Sequence, residues 1–446
     1  MGKRDEQRQI SLEFEDALRL GLGRAVVRLR AAGGGAAFRE SVLRACLRDD
    51  RYDRQYEEGR EQFLCDVIAA TDEPEFYRWW LLRATVPWRL HGDAGEQLVA
   101  LLRVFAATGD ESARAQLYAI FAANAATDRP DGATEIVELD ALAGLLFVVP
   151  RLVVDADAPW FARSLIALAA ERDGKAATWA ALTATAETDP AVARLLALVR
   201  SDEEREQARR QDCAGDADAG ALTYPAIRAR LLAGERRARS LLWRWARETT
   251  ADELVTVAND LLAEDDPQRR NAYLRVFAER PFPLDHAPLL ALARNPSRRI
   301  AAPVIGVLAK IEHSDVRALG LELLVAGRGD GARLLALNYQ AGDFALVEQL
   351  MRSWQDHEAL HDLGFGLRHM VEANPQAEAI AALLALYERG PCSLCRRHAV
   401  ALLAKLDPLP PWLIAECWWD ANLWVRETIR EYAATLTGDM PEASPL

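Results

Sequence analysis

Two short motifs carry residues that can do chemistry. His357-Glu358-Ala359-Leu360-His361 sets two histidines one helical turn apart, the spacing that lets both imidazoles reach one zinc ion while the glutamate activates a water. Cys392-Ser393-Leu394-Cys395 is a CxxC pair with His398 three residues on. One CxxC supplies half of a zinc site, and a second pair at suitable distance would complete it. A third grouping is aromatic: Trp412, Trp418-Trp419-Asp420 and Trp424-Val425-Arg426, matched near the other end of the chain by Trp79-Trp80 after Phe76 and Tyr77. Neighbouring tryptophans point about 100° apart on a helix, so one of each pair approaches the surface, where tryptophan is a favoured anchor for a protein partner. We therefore take His357, Glu358, His361, Cys392 and Cys395 as candidate metal ligands. Trp79, Trp80, Trp418, Trp419, Asp420, Trp424 and Arg426 are the candidate partner-binding residues.

The elements that must position these residues read as helices. Leu98, Leu101, Leu102, Val104 and Phe105, then Ala115, Leu117, Tyr118, Ile120 and Phe121, form apolar stripes at three- and four-residue spacing. Between them Gly109 supplies a helix stop and Asp110 an N-cap. Similar turns recur at 71–74, 188–190, 341–343 and 374–375. Phe147–Val154 is the clearest β-branched cluster; its surroundings predict a buried helix broken or kinked at Pro150, with a short strand as the alternative.

The second half adds punctuation. A turn followed within a few residues by arginine opens helices at Asp266-Pro267-Gln268-Arg269, Asn295-Pro296-Ser297-Arg298, Pro391 to Arg396 and Asp420 to Arg426. Two neighbouring gaps, Arg269 to Arg298 and Arg396 to Arg426, are 29 and 30 residues, within the range of helical repeats. Positive charge is disfavoured at a helix start, so the arginines are expected to reach a carboxylate or carbonyl of an adjacent repeat. The pattern resembles HEAT or armadillo-type repeats, most clearly over residues 250–437. That resemblance implies an all-α α-solenoid of antiparallel helix pairs with an extended binding surface. The expected organisation is an irregular helical region over 1–211, a linker over 212–221, a HEAT-like region over 222–437 and a tail over 438–446.

Two narrower resemblances touch the motifs. The histidine pair is similar to zinc metalloproteases, and Gly364 falls where the longer form of their pattern has glycine. Leu367 stands at the third-histidine position, with His369 two residues late. Without those flanks the segment reads as a helix with Leu360, Leu363, Leu367, Met370 and Val371 as its core stripe. Asp420 to Arg426 resembles the helix openings of HEAT-like DNA alkylation-repair glycosylases, which implies DNA-facing roles for Trp424 and Arg426. Glu427 stands where that family tends to have a second basic residue.

Composition sets the remaining expectations. At 446 residues, the chain exceeds the size of one compact core. A net charge of −13 argues against nucleic acid and points to a protein or peptide partner with a basic segment. Apolar runs are too short to span a bilayer. The N-terminus lacks a secretory apolar core, and six scattered cysteines suit a reducing cytoplasm better than a disulfide scaffold. No nucleotide loop is present, since Gly21-Leu22-Gly23 follows no strand, and no cofactor is expected. The reading is a non-enzymatic scaffold or adaptor, with a zinc hydrolase or DNA-base glycosylase as the alternatives.

Overall fold

In a computed structural model, the described residues are 13–54, 57–84, 93–125, 130–152, 159–215 and 223–437. The expected tail at 438–446 and most of the expected linker lie outside them. Every regular element among the described residues is helical, and none is long and apolar enough to cross a membrane.

The turn chemistry acts locally as its residue types require. Asp110 accepts from Ser112 N and Ala113 N at 2.9 and 3.1 Å and so starts the Glu111–Asn124 helix. Gly109, at φ 96°, ends the preceding Asp93–Ala107 helix. Asp266 caps Pro267–Glu279 by accepting from Arg269 N at 2.8 Å, and Thr250 and Glu253 form a reciprocal capping box on Ala251–Ala263.

The α-helix Ala133–Val148 gives way at Pro150, as expected, and carries a further break at Ala141. Ala141 has φ 47° and ψ −121°, a strained conformation for a residue with a side chain. Both ends of the break are satisfied from one helix. Leu142 N donates to Asp173 at 2.8 Å, and Arg172 donates to the carbonyls of Glu138 and Leu139 at 2.7 and 3.0 Å. The halves fold back closely: a Cβ added to Gly144 would lie 2.4 Å from the Ile136 carbonyl. Phe147 and Val148 are helical, and Pro150 sits in the 3-10 turn Val149–Arg151 that follows.

The chain divides into two compact units, and the division is not that of the expected regions. One unit comprises residues up to Asp218 together with Pro411–Arg430; the other comprises Ala219–Pro410 and the residues after Arg430. The first boundary falls within the stretch expected as a linker. The segment 411–430, read from sequence as part of the second region, packs with the first unit. Arg24 Nε donates to Glu416 at 2.7 Å, and Ala421 N donates to the Gly21 carbonyl at 2.8 Å. Arg30 lies 3.9 Å from the centre of the Trp419 ring. The first unit has a core that includes Phe121, Ile136, Leu165 and Leu182; the second centres on Ile227, Val257, Phe277 and Leu289.

Within the second unit, side chains at helix ends repeatedly cap the carbonyls of the helix two before. Arg280 donates to Ala246 O at 2.9 Å across 34 residues. Arg328 donates to Ala293 O at 3.0 Å across 35 residues, and Asn374 to Ala336 O at 2.7 Å across 38. Arg389 donates to Met351 O and Trp354 O, both at 3.0 Å, and Lys310 donates to Ala278 O. These bonds satisfy carbonyls that a helix end leaves open and set positive charge against the negative end of the dipole. They put the ends of alternate helices side by side.

Candidate functional site

The two sequence motifs meet across two of these alternate helices, His357–Ala373 and Ser393–Leu406. Cys392 is the N-cap of the second helix and Cys395 its third residue; they are 1% and 6% exposed. His361, in the opening turns of the first, is half-buried and presents Nδ1 to Cys395 Sγ at 3.6 Å, across 34 residues. The donor atoms of His361, Cys392 and Cys395 all lie within 4.8 Å of one another. A hydrogen bond from Cys395, opposed by burial and helped by one from His361, holds the Cys392 thiol well below its usual range; that same bond and burial push Cys395 far up. His361 is raised, chiefly by its hydrogen bond to Cys392. The amide dipoles of the helix N-terminus likewise favour negative charge at Cys392.

The rest of the HExxH segment points elsewhere. Asp356 caps the helix by accepting from Ala359 N at 2.8 Å. His357 and Glu358 are exposed, and Glu358 pairs with Arg298 at 2.8 Å, with Asp362 on the same guanidinium at 2.5 Å. Among the described residues, His357 joins no group of three clustered donors. Gly364 has a packing reason, since a Cβ there would meet Leu386 Cδ1 at 2.6 Å. His369 approaches Glu372 at 3.7 Å and His398 lies 3.3 Å from Arg368.

The aromatic candidates separate by exposure. Trp79 and Trp80 are 52% and 41% exposed, with ring centres 5.2 Å apart, edge to face. Arg83 lies 4.7 Å from the Trp79 ring. They stand on the helix Pro74–Ala84, whose Glu75 and Arg78 line a groove of about 490 Å³ with Asp110 and Glu111. Trp418, Trp419 and Trp424 are half-buried. Asp420 and Arg426 are buried in the packing of the first unit. Arg426 pairs with Asp66 at 2.8 Å and donates to the Asp420 carbonyl at 2.6 Å, while the Asp420 carboxylate accepts from Asn422 N at 2.8 Å.

Two further features were not found by sequence reasoning. A cavity of about 760 Å³ is lined by Trp160, Trp179, Arg163, Lys175 and Glu203; its residues come from three helices, and no local spacing marks them. His286, His313 and Asp315 form a second, more exposed donor group, with the histidine ring centres 4.4 Å apart. His313 Nδ1 there already accepts from Asp315 N at 3.1 Å as a helix cap.

No family model, curated protein or solved structure matches the chain.

Proposed function

We propose that the protein is a non-enzymatic scaffold of HEAT-like helix pairs that binds a protein or peptide carrying a basic segment. The observation that carries this reading is the Trp79–Trp80 pair. Two adjacent large aromatics, about half exposed, stand on a helix whose Glu75 and Arg78 line a groove with Asp110 and Glu111; Arg78 pairs with both Glu75 and Asp110, so three carboxylates share one lining arginine and the groove keeps a negative excess. Trp79 lies one turn beyond Glu75 on the same helix face, so one bound segment can meet both. Exposed tryptophan supplies contact area at low entropic cost, and the acidic rim selects and steers a cationic partner. The alternate-helix capping bonds support the stacked arrangement, because they recur at offsets of 34, 35 and 38 residues.

The test uses the full chain and fluorescent peptides of one length, rich in lysine and arginine, neutral, or rich in aspartate and glutamate, each with one aromatic residue. Binding of the basic peptide alone, weakened by salt, is expected. Trp79→Ala with Trp80→Ala should cost at least about tenfold in affinity, as loss of a hot spot does. Equal binding of all three peptides, or no effect of the double substitution, overturns the reading.

A further inference from the structure

We propose that His361, Cys392 and Cys395 are the protein ligands of a zinc site that joins two alternate helices and leaves its fourth corner to water. The site is separate from the Trp79–Trp80 surface and does not depend on the adaptor reading. Zinc–sulfur bonds of about 2.3 Å and zinc–nitrogen bonds of about 2.0–2.1 Å, at the tetrahedral angle, set a sulfur and a nitrogen about 3.6 Å apart. Cys395 Sγ and His361 Nδ1 are 3.6 Å apart, the edge of such a tetrahedron. Cys392 supplies the third donor, with every donor atom within 4.8 Å of the others.

Charge and burial agree with this. Two thiolates and a neutral imidazole balance Zn2+, so the loaded site carries no net charge into a region where both cysteines are nearly inaccessible. Thiolate and imidazole donors select zinc over magnesium or calcium, which take oxygen ligands. Glu358 precedes His361 on the helix but is held by Arg298, so it does not supply the fourth ligand. His361 is only half-buried, which gives water a way in. The site differs from an HExxH zinc centre in a checkable way: His357 takes no part in it.

The chain, purified under reducing conditions and stripped with a chelator, is reloaded with Zn2+ or with Co2+ as a spectroscopic probe. One metal per chain is expected, and the cobalt form should show the sulfur-to-cobalt charge-transfer absorption that only thiolate ligands give. His361→Ala, Cys392→Ser and Cys395→Ser should each weaken binding by more than the roughly 10–100-fold that loss of an outer-shell partner costs. His357→Ala and Cys65→Ser should keep it. Failure of the folded wild-type chain to bind either ion overturns the proposal, as does a cobalt spectrum without the thiolate band. Loss of metal in His357→Ala to the same degree as in His361→Ala would move the site to the HExxH motif and also overturn it. The wild-type cobalt spectrum decides the matter even where a variant fails to fold.

Discussion

Arg426 shows how far a residue's role can lie from its sequence neighbourhood. From its place after a tryptophan-bearing turn it reads as a groove residue; in the fold it is an internal tie. Its guanidinium meets Asp66, and both side chains are 8% exposed. Removing one partner of a buried pair strands the other's charge, whereas replacing both with apolar groups removes the problem. Arg426→Ala is therefore expected to cost about 3–5 kcal/mol in chemical denaturation. Arg426→Met with Asp66→Leu should recover part of that loss, the remainder reflecting the Asp420 carbonyl that loses its donor. Equal stability of the single variant and wild type would mean that the pair is open to water. The other punctuating arginines divide along similar lines. Arg269 turns back to Glu264 at 2.8 Å, Arg298 reaches Glu358 and Asp362 from a distant helix, and Arg396 is buried. The partner expected on the adjacent repeat is not what Arg269, Arg298 or Arg426 shows: the acid of Arg269 is in its own turn, and those of Arg298 and Arg426 lie 60 or more residues away.

At the scale of the element, the informative repeat lies at helix ends rather than helix starts. Proline and asparagine turns mark the early-helix arginines in the sequence. The residues that tie helix to helix, Arg280, Arg328, Asn374 and Arg389, stand at the other end, where positive charge and side-chain amides suit the open carbonyls. Arg389 gives the cleanest test. It donates to Met351 O and Trp354 O, and Arg389→Met keeps most of the stem while deleting both bonds. A loss of about 2 kcal/mol is expected, with faster amide exchange at the ends of Asp343–Ser353 and Ala379–Arg389. Exchange unchanged at both ends would remove the capping role. The same spacing explains the His361–Cys395 meeting, since 34 residues is also the offset between Arg280 and Ala246. A histidine and a CxxC 34 residues apart on alternate helices was the signal available in the sequence.

At the scale of the molecule, the first unit is completed from the far end of the chain. Arg24 and Glu416 pair across 392 residues, and there is no slack where they meet: a Cβ on Gly23 would fall 1.9 Å from the Glu416 carbonyl. Gly23→Ala is expected to destabilise the first unit by about 1–3 kcal/mol through overpacking, and to shift tryptophan emission to the red as Trp419 loses its cover. Unchanged emission and stability would show that the segment 411–430 seats elsewhere. Loop closure over such a distance also makes late, slow folding of this unit the expectation.

Read alone, the sequence determined what local physics controls. Apolar stripes with a 3.6-residue period made the chain helical, Asp110, Gly109 and Asp266 placed helix ends, and residue chemistry narrowed the metal donors to histidine and cysteine. Only the tertiary structure decided which helices became neighbours. It separated His357 from His361 in role, buried Asp420 and Arg426, returned 411–430 to the first unit and assembled the Trp160–Trp179 cavity. The physical reason is that caps and periodicity act over a few residues of chain. Alanine- and leucine-rich faces, by contrast, are nearly interchangeable, so the pairing of distant helices rests on the fit of whole surfaces and on a few long-range ties such as Arg24–Glu416.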